Sequence, residues 1–309
     1  MERLDGGSAI PGAFRGGIVA LGNFDGFHRG HQAVAGAAIA RARAEGRPAL
    51  VATFDPHPVR YFKPDAPPFR LTTLDQRHGL FAAAGADAML VFGFDAALAG
   101  LTAREFVVQR LVGMIGAAGV VTGQDFTFGK GRSGDVGVLA ALGGELGFTV
   151  ETVGAVAHEG APVSSSRIRE ALQAGRPRDA AALLTRPFAI RGVVQPGAKL
   201  GRTIGYPTAN LDMGPYLRPA YGIYAVRGRL PDGRMLDGAA NLGIRPSFDP
   251  PVELLEPYFF DFSGDLYGQT IEVELIEYLR PEAKFDTLEA LKTQMAADCA
   301  RATTLLRSP

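Results

Sequence analysis

The stretch Gly22-Asn23-Phe24-Asp25-Gly26-Phe27-His28-Arg29-Gly30-His31 carries the residue types best suited to chemistry in this chain. His28 and His31 stand three apart, a spacing that at a helix start puts both rings on one side of the first turn. An apolar run at residues 18–21 precedes the stretch and an alanine-rich segment at residues 32–45 follows it, which predicts a strand, a glycine turn and a helix. A turn of that kind leaves backbone N–H groups pointing at a space where phosphate oxygens fit. Two imidazoles beside the positive end of a helix dipole suit a polyphosphate and the charge that develops as it breaks. Glycine also serves plain tight turns, so the histidine pair, not the glycines, gives the stretch its weight.

Two more stretches have the same flavour. Val163-Ser164-Ser165-Ser166-Arg167-Ile168-Arg169 follows a strand candidate and opens a helix. Its hydroxyls either cap that helix or bind phosphate, with Arg169 as a fixed cation. Gly197-Ala198-Lys199-Leu200-Gly201-Arg202-Thr203-Ile204-Gly205-Tyr206-Pro207-Thr208-Ala209-Asn210 combines glycines, two cations and two oxygen donors. Gly197 and Gly201 allow close backbone approach to a ligand, and Lys199 and Arg202 supply charge for phosphates. Thr208 and Asn210, two apart, face one side of a strand. Hard oxygen donors beside phosphates are what Mg²⁺ prefers.

The elements that must position these residues fall into two patterns. Over residues 1–185 short apolar strands alternate with helices. Residues 49–54, 88–92, 120–122 and 149–153 read as strands, residues 74–84 as a helix, and Thr102-Ala103-Arg104-Glu105 as a capping box opening a helix to Ile115. That alternation predicts a parallel sheet covered on both faces, with ligands at the carboxyl ends of its strands. Residues 176–184 read as a last small helix, and Thr185-Arg186-Pro187 as a boundary. Beyond it, strands dominate: residues 188–194, a hairpin of 224–230 and 234–239 about Pro231-Asp232-Gly233, and the alternating run 271–279. A helix from Asp286 to about residue 302 closes the chain, so residues 186–309 are expected to form a compact β-barrel with a terminal helix.

Composition narrows the classes. At 309 residues two domains are expected. Lys plus Arg equal Asp plus Glu at 32 each, which argues against a nucleic-acid partner. The one cysteine, Cys299, permits neither an internal disulfide nor a cysteine-based zinc site. No apolar run reaches bilayer length and no signal-peptide core is present, so a cytoplasmic protein without a membrane partner is expected.

The motifs, taken together, resemble a known family. His-x-Gly-His after Gly-Asn-Phe-Asp-Gly is similar to the signature of the nucleotidyltransferase superfamily, and the run Ser164 to Arg169 looks like its Ser-Ser-Thr-x-Ile-Arg element, with Ser166 in place of threonine. Thr53-Phe54-Asp55-Pro56-His57-Pro58 and Gly123-Gln124-Asp125-Phe126-Thr127-Phe128-Gly129 narrow the resemblance to prokaryotic bifunctional riboflavin kinase/FAD synthetases. The second half resembles riboflavin kinase: Gly-Arg-x-x-Gly-x-Pro-Thr-Ala-Asn at residues 201–210, and Asn-x-Gly-x-Arg-Pro-Thr-Phe at residues 241–248 with Ser247 for threonine.

That resemblance implies a Rossmann-like FMN adenylyltransferase over residues 1–185 and a riboflavin-kinase barrel over 186–309. The second would make FMN from riboflavin and ATP; the first would make FAD and pyrophosphate from FMN and a second ATP, with Mg²⁺ as cofactor. It implies that His28, His31, Ser165 and Arg169 are catalytic, with Gly22, Asn23, Phe24, Asp25, Gly30, Asp125, Ser164 and Ser166 binding nucleotide or flavin. In the second half it implies binding by Gly197, Lys199, Gly201, Arg202, Thr208 and Asn210, the last two also contacting metal. Its proton acceptor falls on Glu256, five residues before Asp261-Phe262, and not on Glu253, which is expected at the surface. Pro257 and Tyr258 depart from the family pattern, and Pro257 requires an unpaired strand edge or a bulge. Three rivals stand beside this reading: one working half, a different nucleotidyltransferase, or a flavin-storage protein that leaves ATP intact.

Overall fold

The computed structural model describes residues 1–197, 204–245 and 252–307. Its contacts gather into two compact units, residues 1–67 with 72–164, and residues 68–71 with 165–309.

In the first unit the strands are β1 (Glu2–Asp5), β2 (Ile18–Leu21), β3 (Ala49–Asp55), β4 (Ala88–Gly93), β5 (Gly119–Gly123) and β6 (Thr149–Val153). They form one sheet in the order β1-β4-β3-β2-β5-β6, with every neighbouring pair parallel. Helices α1 (Arg29–Ala44), α2 (Pro58–Phe62), α3 (Leu74–Ala84), α4 (Ala96–Gly100), α5 (Ala103–Phe106) and α6 (Val136–Leu146) connect them. The continuous apolar run of β2 follows from burial on both faces. Val19 and Leu21 pack with Leu50, Ala52 and Val120 on one side. Ile18 and Ala20 pack with Val34, Ala38 and Ile39 of α1 on the other. Each of the Val, Leu and Ile side chains contributes roughly 1.5–3 kcal/mol of burial. The strand order reverses at β2, whose neighbours are β3 and β5, so the turns after β2 and β5 open at the switch point where α/β sheets hold ligands.

Several boundaries differ from the sequence reading for physical reasons. Helix α1 starts at Arg29, three residues before the alanine run, because His28 caps it. The helix read from Thr102 to Ile115 is α-helical only to Phe106 and π-helical over Val107–Ile115. Its buried residues, Val107, Leu111 and Ile115, are spaced by four, which a widened turn brings into line. Strand β1 has one buried residue, Leu4, and α6 carries three glycines, so neither gives a clear periodic signal. A small hairpin, β7 (Ala157–His158) with β8 (Ala161–Pro162), completes this unit.

The second unit holds α7 (Ser165–Gln173), α8 (Pro177–Leu184), then β9 (Phe188–Val193), β10 (Leu211–Asp212), β11 (Gly222–Arg229), β12 (Met235–Arg245), β13 (Val252–Phe259), β14 (Thr270–Arg280) and α9 (Leu288–Arg307). The six strands are antiparallel in the order β10-β13-β12-β11-β14-β9. Gln195 N–H donates to the Asn210 carbonyl at 2.9 Å, which links the end of β9 to the start of β10 and closes the sheet into a near-barrel. Ala302 and Leu306 of α9 pack on Ala225, Ala239 and Leu279. The expected architecture, a Rossmann-like parallel sheet followed by a β-barrel with a terminal helix, is the one observed. Pro257 pairs with Ala240 in unbroken register, so no bulge forms. Strand β10 pairs with Leu254 and Leu255, and just before it Ala209 N–H donates to the Pro257 carbonyl at 2.9 Å, so Pro257 is paired on that side too and lacks only the N–H that would return the bond.

Candidate active sites

In the first unit the turn after β2 is built by its own side chains. Phe24 and Phe27 have φ of 51° and 44°, a left-handed backbone that costs energy for bulky residues and recurs at functional turns. Burial of both rings, edge-on against Phe81 at 5.7 and 5.0 Å, offsets that cost. Thr72 holds the turn from the side: its N–H donates to Asp25 Oδ1 at 3.0 Å, and Gly26 N–H donates to its hydroxyl at 2.9 Å. Asp25, 3% exposed, therefore shapes the turn from inside. The Asn23 carbonyl accepts from the Thr53 hydroxyl at 2.8 Å and from Arg77 at 3.1 Å, and Arg77 also donates to Thr53 at 2.7 Å. Asn23 Oδ1 is buried and has no hydrogen-bond partner.

His28 is the N-cap of α1, its Nδ1 accepting from His31 N–H at 3.3 Å. The two rings stack with centroids 3.6 Å apart and 16° between planes. Phe24 meets His31 edge-on at 5.3 Å. Gly30 lies against the His28 ring, where a side chain would press on it. The imidazoles thus form one fixed pair beside a helix N-terminus, as their spacing predicted. Asp125 is exposed in the turn after β5 and Gly22 sits under the Phe24 ring. Beyond the carboxyl end of β3, Tyr61, Phe62 and Phe94 form an aromatic cluster, with Phe62 65% exposed. Thr72, Arg77 and this cluster were not singled out in the sequence. The available signal was Arg77 itself, a charge on the same helical stripe as Leu74 and Phe81.

Ser164 falls in the first unit and Ser165, Ser166 and Arg169 in the second. Ser165 opens α7, Ser166 is exposed, and Arg169 Nε donates to the Phe69 carbonyl at 2.8 Å while its guanidinium lies over the Phe69 ring.

The second unit contains a cavity of about 270 Å³ lined by Tyr206, Thr208, Asn241, Glu256, Tyr258, Glu282, Phe285 and, from α9, Leu291, Met295 and Cys299. Its polar end is at Thr208, Glu256 and Glu282. Asn210, 6% exposed, faces Glu256: with its amide oriented to satisfy both neighbours, Nδ2 donates to Glu256 Oε1 at 3.1 Å and Oδ1 accepts from Gly197 N–H at 3.2 Å. A Cβ at Gly197 would press on that amide and displace it. Arg245 pairs with Glu256 Oε2 and reaches Glu282 at 3.2 Å. Helix α9 closes one side, where Arg280 and Asp298 also line the cavity and join α9 to β14 at 2.7 Å. Burial, reinforced by the Asp298 charge, pushes the Cys299 thiol up to about 11, so it lines the cavity as a neutral group. Glu253 points elsewhere. Burial opposes its ionisation, but donation from Tyr221 and Arg218 outweighs that and holds its carboxyl below the usual range. Burial and the Glu253 contact push the Tyr221 hydroxyl up to about 12. The sequence reading placed Glu253 at the surface; it is half-buried and structural. The α9 wall went unread, although Leu291, Met295 and Cys299 repeat every four residues. Lys199, Gly201 and Arg202, and the residues 246–248 that end the Asn-Leu-Gly-Ile-Arg motif, lie outside the described residues.

An imidazole pair at the switch point of a parallel sheet, and a carboxylate lining a barrel cavity, are arrangements suited to phosphoryl and nucleotidyl transfer. Comparison with known proteins specifies the class. The family model for FAD synthetase matches residues 11–167 and that for riboflavin kinase matches residues 184–306. The bifunctional riboflavin kinase/FMN adenylyltransferase of Pseudomonas fluorescens is 40% identical over 94% of this chain and 93% of its own. That of Escherichia coli (strain K12) is 38% identical over 92% and 90%, and that of Bacillus subtilis (strain 168) 36% over 91% and 90%. A solved structure described as a macrolide-efflux protein from Streptococcus pneumoniae is 30% identical with a TM-score of 0.86, covering 96% of this chain and 97% of that one. Among the described residues, no helix of this chain is long and apolar enough to cross a membrane. The chain belongs to the family of bifunctional riboflavin kinases/FMN adenylyltransferases. Its reactions are the ATP-dependent phosphorylation of riboflavin to FMN and the adenylylation of FMN by ATP to FAD.

Proposed function

We propose that residues 186–309 carry the kinase reaction, with Glu256 as proton acceptor, and that residues 1–185 carry adenylylation, with His28 and His31 at the phosphates. The chain would work in the cytoplasm. The observation that carries the proposal is the cavity itself, which joins a carboxylate and neutral oxygen donors at one end to an aromatic and aliphatic wall at the other. An isoalloxazine ring needs the wall, and a ribityl hydroxyl needs the carboxylate.

In the kinase step the 5′-hydroxyl oxygen of riboflavin attacks the γ-phosphorus of ATP. The bond to the β–γ bridging oxygen breaks, ADP leaves, and the hydroxyl proton passes to Glu256. Asn210 holds Glu256 Oε1 in place. Mg²⁺ would fit this end, where Thr208 and Asn210 offer two neutral oxygens. Bound there with the phosphates, Mg²⁺ would offset their charge. Thr208 and Asn210 would be its protein ligands, with Lys199, Gly201, Arg202 and Gly197 around the nucleotide.

In the adenylyl step a phosphate oxygen of FMN attacks the α-phosphorus of a second ATP, and the bond to the α–β bridging oxygen breaks to release pyrophosphate. No base is required, because that phosphate is already ionised near neutral pH. His28 and His31 stabilise the leaving charge, a role that the family resemblance extends to Ser165 and Arg169. Gly22, Asn23, Phe24, Asp25 and Gly30 form the turn beside it, with Asp125, Ser164 and Ser166 as further contacts. The exposed Phe62, with Tyr61 and Phe94, offers the flavin an aromatic surface.

The test is a time course with riboflavin, ATP and Mg²⁺ in which FMN and FAD are resolved. Glu256→Gln should slow FMN formation by about 100-fold or more, the scale of general-base catalysis, yet convert supplied FMN to FAD. His31→Ala should accumulate FMN and make little FAD. If Glu253→Gln, and not Glu256→Gln, blocks FMN formation, the proton acceptor is misassigned.

A further inference from the structure

We propose that Arg245 is the positioning residue of the kinase reaction: it fills one oxygen of the Glu256 carboxylate so that only the other is left to receive the hydroxyl proton. The inference rests on the reading of Glu256 as proton acceptor.

The geometry is set by strand register. Asn241 pairs with Glu256 across β12 and β13, and Arg245 pairs with Val252. Asn241, Gly243 and Arg245 alternate onto one face of β12. Arg245 therefore lies along the strand from Glu256 and must reach back over position 243 to meet it. Its Nε donates to Glu256 Oε2 at 2.5 Å, and a terminal nitrogen of the same guanidinium meets that same oxygen. The other terminal nitrogen donates to Glu282 Oε1 at 3.2 Å. Both side chains of the Arg245–Glu256 pair are 20% exposed, so solvent weakens the contact far less than at a surface ion pair.

The lone pairs decide the consequence. A carboxylate oxygen accepts two hydrogen bonds. Arg245 covers Oε2, with Nε donating to it and a terminal nitrogen in ion-pair contact with it. Among the described residues Oε1 receives one hydrogen bond, from the Asn210 amide, which leaves it a second position to accept a proton. A free carboxylate rotates and offers either oxygen; this one presents Oε1 alone. Glu282 supplies the second anchor that stops the guanidinium from turning with its partner.

Gly243 belongs to the same device. A Cβ at this position would collide with the Glu282 carboxyl, so the glycine of Asn241-Leu242-Gly243-Ile244-Arg245 leaves the space in which Glu282 meets Arg245. This gives the motif a physical reading: an asparagine opposite the base, a gap, and the arginine that orients it.

The experiment is a double-mutant cycle on FMN formation, read as kcat and riboflavin KM, with FAD formation from supplied FMN as the measure of an intact chain. Misplacing a reacting group by an ångström costs on the order of 100-fold, so Arg245→Gln should lower kcat by about that factor while moving KM little. In the Glu256→Gln background the same change should cost nothing further, because Arg245 acts only through Glu256. Arg245→Lys keeps the charge and the aliphatic stem, so the barrel stays folded if the Gln variant fails to fold. One ammonium cannot make both contacts with Oε2 and reach Glu282, so Lys should still leave kcat about tenfold below the parent. A kcat within about twofold of the parent in the Lys or Gln variant, or losses that multiply in the double variant, overturns the proposal. If Glu256→Gln itself makes FMN at the parent rate, the reading of Glu256 fails first, and the two failures are distinguishable.

Discussion

At the scale of single residues, Arg77 and Cys299 differ in what burial does to them. Arg77, 2% exposed, is spent on the Asn23 carbonyl and Thr53, which ties α3 to the turn that carries the histidines. Arg77→Met keeps the stem and removes those donors. FAD formation from FMN should fall by about tenfold or more as the turn loosens, while FMN formation keeps its parental rate. An equal loss in both reactions would mean that Arg77 serves global stability alone. Cys299 is the opposite case, a neutral thiol in the wall of the barrel cavity. With its thiol pushed up to about 11 by burial, maleimide should label it slowly near neutral pH, and saturating riboflavin should slow labelling further. Labelling indifferent to riboflavin would place the flavin elsewhere. The histidine pair was legible in the sequence because three-residue spacing at a helix start has one geometric outcome. Arg77, Thr72 and Arg245 were not, because each acts through a partner more than ten positions away, and no local period carries such a pairing.

At the scale of elements, end signals were read more surely than interiors. The Thr102 capping box forms as spaced, with Glu105 accepting from Thr102 N–H at 2.8 Å, and so does the box Thr73–Gln76 at the start of α3. Thr102→Ala should lower stability by about 1 kcal/mol in urea unfolding and leave both reactions unchanged. The switch from α- to π-helical winding after Phe106 was hidden, because apolar residues four apart fit either winding over so short a stretch. Strand β13 was read only through Glu256, since Pro257 masks its period. On that strand Glu253 fastens the chain at Arg218 and Tyr221. Its carboxyl is held below the unfolded value of about 4.3, so its contribution to stability is present above that pH and lost as pH falls through the folded value. Between about pH 5 and pH 3 the parent should therefore lose more stability than Glu253→Gln. Parallel acid curves for the two would show that Glu253 is not held ionised by its partners.

At the scale of the molecule, the change from alternating strands and helices to strands alone was visible in the chain, and it coincides with the passage from one family match to the other. Fold class followed from that pattern because burial on both faces and burial on one face leave different periods. The cavity wall contributed by α9 was not legible, because which barrel face a terminal helix covers depends on tertiary packing. The central claim is that one chain holds two independent nucleotide sites, each acting on the same flavin in turn. Counting a non-hydrolysable ATP analogue bound per chain by equilibrium dialysis, with flavin and Mg²⁺ saturating, tests this most directly. The account predicts two per chain, falling to one when Thr208 and Asn210 are both replaced by alanine. One per chain in the unaltered protein, or loss of all binding in that double variant, would contradict it.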